Sequence, residues 1–399
     1  MSSNAAAGRA STTRSAHRSG LEQWTARFES PMTTYYLLLG IVSLLVGIGL
    51  VMVLSASMIV SLKENDSSFT IFLKQFLFAV VGAAALWWAS RRRVAFWKAF
   101  ALPALLLSVV LLGLVFSPLG FGFQGNRNWI QIGSQRLQPS EFLKLALAVW
   151  LGALLAMKRP LLHKPFHLLF PLVPGVGAAL GLVVLGHDLG TTLVMCMLVA
   201  GAVWVAGVPR RWFFAAGAIG LVGVLAMTIT SGNRMARINN WLHGTCEGDS
   251  CMQSKQGLMG LAEGGWWGKG LGQSAQKWGR LPAAEDDYIF AIIGEELGLI
   301  GTLGVVLLFT ALALIMFRMI TRLEDHFMQI TVAGISAWLL GQAFTNMMVV
   351  TGLLPVIGVP LPFISSGGSA LLASMTALGL LLSFARREPG AQEAISARF

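Results

Sequence analysis

The stretch EDDYIFAIIGEELGLIG, Glu285 to Gly301, sets three carboxylates side by side and two more, Glu295 and Glu296, over two turns further along an apolar run. An ionised carboxylate at the centre of a bilayer costs on the order of 2.5–3.5 kcal/mol, so acids placed there face a cavity or a partner. On a helix Asp287, Ala291, Gly294 and Glu295 share one face, lined by residues small enough to admit a ligand. Asp287, at the water-exposed rim, is the candidate general base. Neighbouring like charges raise one another's pKa, which helps a base or spreads its role over Glu285 and Asp286. For Glu295 and Glu296, a structural hydrogen bond to another span explains the placement equally well.

The segment from Ser231 to Phe290 is the only large polar region between apolar runs. It combines Arg234, Arg237, Lys269 and Lys277 with Trp241, Trp266, Trp267 and Trp278, cations for an anionic group and rings for a sugar or lipid face. Resting flat on the bilayer surface is the alternative, since tryptophan gathers at interfaces. GGWWGKGLG, Gly264 to Gly272, allows backbone amides to approach phosphate, but without a preceding strand it is no nucleotide loop. Cys246 and Cys251 are spaced to close a small loop, and a disulfide is expected. His243 adds too few ligands for zinc. Cys196, inside an apolar run, reads as a small buried residue.

Three further groups stand out. In GNRNWIQIGSQRLQPSEFLK, Gly125 to Lys144, Pro139 and Ser140 open a helix, Glu141 and Lys144 pair at i, i+3, and Arg127 and Lys144 offer cations for phosphate. In GHDLGTT, Asp188 is either a site residue or a helix cap. In GLLPVIGVPLPFISSGGSALL, residues Pro355, Pro360, Pro362, Gly367 and Gly368 break the helix at membrane depth or its outer edge. Irregular backbone survives there only against a cavity or packed on protein.

The elements that must carry these groups follow from composition. Of 399 residues only 12% are charged and 55% are apolar, with a mean hydropathy of +0.69. A soluble enzyme, a disordered chain and a nucleic-acid binder are thereby disfavoured, and the net charge of +11 speaks of loop placement. The fold class is all-α and polytopic. About ten runs are long enough to cross a bilayer: 33–58, 69–90, 94–117, 139–157, 166–185, 189–208, 213–231, 287–316, 327–351 and 361–385. Residues 1–30 read as a disordered basic cytoplasmic tail, 31–385 as the transmembrane domain, 232–286 as a large extracytoplasmic loop between the seventh and eighth helices, and 386–399 as a second cytoplasmic tail. With both ends inside, eighteen of the 29 Lys and Arg fall on the inner side, as the positive-inside rule requires.

Taken in order, the QPSE..K box (Gln138 to Lys144), HDLGTT (His187 to Thr192), GGWWGKGLGQSAQKWGRLP (Gly264 to Pro282), DYIFAIIGEELG (Asp287 to Gly298) and LPFIS.GGS (Leu361 to Ser369) resemble the SEDS family of polytopic membrane proteins that polymerise peptidoglycan. The likeness is to its cell-division branch, of the actinobacterial type, more than to its elongation branch. It implies a glycosyltransferase of the outer membrane face that adds lipid II to a glycan carried on undecaprenyl pyrophosphate, with Asp287 matching the family's catalytic aspartate. It further implies substrate contacts from Arg127, Trp129, Gln138, Ser140, Glu141, Lys144, Asp188 and Arg237, and from Gln256, Lys269, Gln276, Lys277, Glu295, Ser366, Gly367 and Gly368.

Assistance by a divalent cation, Mg or Mn, is implied with no dedicated cage visible, and no organic cofactor. The implied partners are a class B penicillin-binding protein, a transpeptidase, and other divisome proteins, at the septum of the bacterial plasma membrane. The chain departs from the family at Glu285 and Asp286, where His-Thr is frequent, at Ala283, often Glu, and at Asn128, where an arginine precedes the tryptophan. A precursor flippase and a non-catalytic scaffold are the rival readings. Polymer formation in detergent separates the first from an enzyme.

Overall fold

A computed structural model describes residues 32–65, 67–123, 126–133, 135–229, 232–243 and 249–391. The expected tail 1–30, most of the second tail and Cys246 lie outside the described residues. In chain order the helices are α1 (Thr33–Asn65), α2 (Thr70–Ser90), α3 (Val94–Gly113), α4 (Pro139–Met157), α5 (Pro165–Leu185), α6 (Leu189–Val205), α7 (Arg210–Ile229), α8 (Gly232–His243), α9 (Asp249–Gly264), α10 (Ile289–Arg322), α11 (His326–Val350) and α12 (Gly368–Ala385). Eight are long and apolar enough to cross a membrane, and α5 and α6 contain shorter apolar stretches. With their backbone groups bonded internally, helices are what an apolar chain of this kind can place in hydrocarbon.

The apolar runs found in the sequence sit on these helices to within a few residues, with one informative exception. The last run begins helix only at Gly368, because residues 351–367, with their three prolines, follow an irregular path. The core lies between α4, α6, α11 and α12, whose Leu147, Leu198, Trp338, Leu339 and Leu380 are fully buried. Glycine permits the closest approaches: Gly201 of α6 faces Ala337 of α11, and Gly334 of α11 faces Ala148 of α4.

Two features depart from the sequence reading. An antiparallel sheet of three short strands, β1 (Gly120–Phe123), β2 (Asn126–Ile132) and β3 (Gln135–Leu137), lies between α3 and α4. It pairs Phe121 with Trp129 and Ile130 with Leu137. The polar region after α7 is also partly helical, holding α8 and α9, and α9 packs on α10.

Candidate functional site

Asp287 stands two residues before α10, where the chain turns in from the loop. The turn is bound at its backbone: Asn346 of α11 donates its Nδ2 to the Asp287 carbonyl at 2.7 Å and to the Val359 carbonyl at 2.8 Å. Ser365 Oγ donates to the Asp286 carbonyl at 2.6 Å, and the Ser366 amide to the Glu285 carbonyl at 2.9 Å. The acidic turn and the broken segment 351–367 are thus laced together. Gln75 of α2 ties in the other edge, donating to the Ser365 carbonyl and accepting from the Gly367 amide.

At the tip of this segment Gly358 has φ +75°, and a Cβ there would come within 3.4 Å of an Asp287 carboxylate oxygen. Its lack of a side chain satisfies that backbone and leaves the carboxylate room. Every non-glycine residue with positive φ among the described residues flanks this place: His187 before Asp188, Ala283 before the acidic turn, and Phe363 in the broken segment. Such conformations cost of order 1–3 kcal/mol each and persist where surrounding structure imposes them.

Asp287 is partly exposed. Burial by surrounding protein pushes its carboxyl up from the ordinary range to about 6, Arg237 on α8 pulls it down, and Asp188 pushes it up. Asp286 is raised well above the usual range by burial and by the charges of Glu285 and Asp287, against a hydrogen bond from Ser366. The neighbouring Tyr288 phenol is also pushed up by burial. A base poised near neutrality, with a more easily protonated acid beside it and a guanidinium in range, can accept a proton from a hydroxyl and meet negative charge.

Asp188 caps α6, accepting from the Thr191 amide at 2.9 Å and its hydroxyl at 2.7 Å, and takes the Asn128 amide at 2.8 Å. The capping reading therefore holds, and its charge is also felt at Asp287. Arg127 uses its guanidinium on the Ser117 carbonyl at 2.9 Å and its backbone amide on the Gly186 carbonyl. Trp129 is half-buried on β2.

The remaining expected residues form two other groups. Glu141 and Lys144 make a buried ion pair at 2.8 Å. Lys144 also donates to Gln342 at 3.0 Å, and Gln342 in turn donates to the Pro360 carbonyl. This pair supports the broken segment from beneath, while Ser140 is buried and the Gln138 amide donates to Ser369. Glu295, Gln276, Lys277 and Lys269 gather elsewhere, at a break in α10. Glu295 accepts from the Ala275 amide at 2.8 Å and from Lys269 at 2.9 Å, and Ser274 donates to it as well. Lys277 pairs with Glu296 at 3.3 Å, and Ser55 of α1 donates to Glu296 at 2.7 Å. The side chains of Gln276, Lys277 and Glu295 are buried; Lys277 and Glu295 fasten the loop, and Gln276 adds its backbone amide to Glu295. Gly367 and Gly368 open α12, with Gly368 against Phe78, and Gln256 is half-buried on α9. Cys251 is disulfide-bonded and Cys196 is free.

Asn346 and Gly358 escaped the sequence reading, and Asn128 entered it only as a departure from the family's arginine. An amide within an otherwise apolar span was the available signal for Asn346. Among the described residues no three His, Cys, Asp or Glu side chains converge to hold a metal ion, and Asp188 is already taken by three donors.

Fold and site together define a polytopic membrane protein with a cluster of acids at one end of its helices. The family model described as cell cycle protein, covering FtsW, RodA and SpoVE, matches residues 35–389, and the chain belongs to that family. The resemblance read from the motifs is thereby borne out. The chain is 39% identical over 376 residues to a probable peptidoglycan glycosyltransferase FtsW of Mycobacterium tuberculosis, covering 94% of this chain and 71% of that protein. It is 36% identical over 352 residues to the stage V sporulation protein E of Bacillus subtilis, covering 88% and 96%. Among solved structures, a chain of a peptidoglycan synthase complex matches with a TM-score of 0.71 at 24% identity, covering 88% of this chain and 97% of that one. The rod shape determining protein RodA of Thermus thermophilus matches at 0.65 and 25%, covering 88% and 96%.

Proposed function

We propose that this chain is a peptidoglycan glycosyltransferase that polymerises lipid II during septal wall synthesis. The observation that supports it best is the acidic turn at Asp287, laced by Asn346, Ser365 and Ser366 to the broken segment, which leaves a partly exposed carboxylate beside Gly358 and within reach of the charges of Arg237 and Asp188. In this reading Asp287 accepts the proton of the acceptor sugar hydroxyl. The hydroxyl oxygen attacks the donor's anomeric carbon with inversion, and the bond to the lipid pyrophosphate breaks with its electron pair on the departing phosphate oxygen. Arg237, whose charge is felt at Asp287, would meet that developing charge. Asp188 and Asn128 fix the position of the α6 end, and Gly358 leaves the opening.

The same reading puts Asp287 on the outer face and the arginine-rich end of the helices in the cytosol. It gives the chain a class B penicillin-binding protein as partner, in keeping with the polymerising and crosslinking synthase complex whose chain it resembles. The test is incubation of the purified chain, alone and with its transpeptidase, with lipid II, followed by separation of glycans by size. Asp287→Asn is expected to remove all or nearly all polymer, since general-base help is worth about 10²–10⁴ in rate. Wild-type polymer from folded Asp287→Asn protein overturns the assignment. Because the reaction is read in detergent, where transport has no meaning, polymer formation also rules against a flippase.

A further inference from the structure

At the opposite end of the helices from Asp287, α3, α4 and α5 enclose a cavity of about 1040 Å³, closed by the turn between α10 and α11. That is at the top of the roughly 300–1,000 Å³ range of ligand pockets. Its floor is protein core: Leu105, Trp150 and Phe327 are buried. Its flanks are open, with Leu102 and Leu106 on α3 and Met157 on α4 exposed where spanning helices meet hydrocarbon. The hollow has a cause in the sequence. Pro171, Pro174 and Gly175 give the facing side of α5 no long side chain, and Trp150 lies against the bare Gly175 backbone.

The chemistry changes at the closed end, where Lys98, Glu324, Asp325 and His326 line the cavity. Lys98 pairs with Asp325 at 2.6 Å and lies 5.3 Å from the centre of the Phe327 ring, while Arg159 meets His326. Glu324 is exposed and makes no hydrogen bond or ion pair among the described residues. An apolar slot with both signs of charge at headgroup height complements a lipid that itself carries both. The phosphate of such a lipid would join the Lys98–Asp325 pair, its ammonium would meet Glu324, and its acyl chains would fill the slot. A headgroup without the ammonium leaves the Glu324 carboxylate facing an anion.

We propose that this cavity binds one zwitterionic aminophospholipid, in the leaflet opposite Asp287. The test is native mass spectrometry on the delipidated full-length chain, titrated with phosphatidylethanolamine or with phosphatidylglycerol. The wild type is expected to retain one phosphatidylethanolamine in preference. Glu324→Gln should reduce that preference about two- to fivefold, the worth of an exposed ion pair. Ala178→Trp, which fills the cavity, should abolish retention. Equal retention of the two lipids by the wild type, an unchanged preference in Glu324→Gln, or retention unaffected in folded Ala178→Trp overturns the proposal. Should Ala178→Trp not fold, the Glu324→Gln comparison, made at an exposed position, decides it alone.

Discussion

A carboxyl poised near 6 beside one cation and one anion gives the pH profile a shape that can be moved in both directions. Asp287 must be ionised to accept a proton, so the rate at low substrate is expected to fall as pH drops through about 6. Removing the Arg237 charge with Arg237→Gln takes away the influence that holds the carboxyl down, and the falling limb should move to higher pH. Burial is the main influence holding the carboxyl up; Asp188→Asn takes away a smaller one, while an asparagine still caps α6, and the limb should move slightly lower. A profile that keeps its limb in both variants places the essential base elsewhere. The fold responds with its own sign. Asp287 holds its proton more tightly folded than unfolded, so stability declines as pH rises from the ordinary carboxylate range to about 6, and the loss is complete above it. Asp287→Asn abolishes that loss, so at neutral pH its thermal midpoint should equal or exceed the wild-type value even as polymer disappears.

Between residues and whole molecule stands the loop that leads into α10, fastened at a break in the helix. Gly298 there has φ +69°, and a Cβ on it would strike the backbone of Trp266 and Gly268. The carbonyls of Glu295 and Glu296 accept instead from the amides of Lys269 and Gly270, at 2.9 and 3.0 Å. Buried Lys277 and Glu296 complete the fastening. Removing one member of a buried pair costs about 3–5 kcal/mol because it strands the other charge. Lys277→Met should therefore lower the thermal midpoint in detergent sharply, and adding Glu296→Leu should restore much of it. A Lys277→Met protein that melts like the wild type but makes no polymer would return Lys277 to substrate binding.

Much of this level was legible beforehand. Apolar length located the helices, and Pro139 opens α4 at its first residue with Glu141 and Lys144 paired as their spacing required. The sheet was not legible, because GFGF is short and glycine weakens any strand signal. Nor was the division of the polar residues into three groups. Asp287, Lys277 and Lys144 look alike in a sequence as polar residues near span ends, and only packing shows that the latter two spend their charges on Glu296 and Glu141. Asn346, a neutral amide binding two carbonyls from distant segments, belongs to no spacing pattern at all.

At the scale of the molecule, the contacts sort themselves by helix end. Thr34 and Tyr35 at the start of α1 meet Arg318, Glu388 and Arg386, Lys98 near the start of α3 meets Asp325, and Arg159 after α4 meets His326. Asp287, Arg237, Asp188 and the broken segment all gather at the other end. The first group lies with Arg91, Arg92, Arg93, Lys158 and Lys164, and by the positive-inside rule it is expected in the cytosol and Asp287 outside. That assignment is open to direct measurement in a chain whose native cysteines have been replaced. Leu353→Cys, exposed in the broken segment, should react with a membrane-impermeant maleimide in intact cells. Arg91→Cys, exposed between α2 and α3, should react only after permeabilisation. The reverse pattern would put the carboxylate in the cytosol, on the wrong side of the membrane for building an extracytoplasmic polymer, and no adjustment of the residues around it would rescue the transfer.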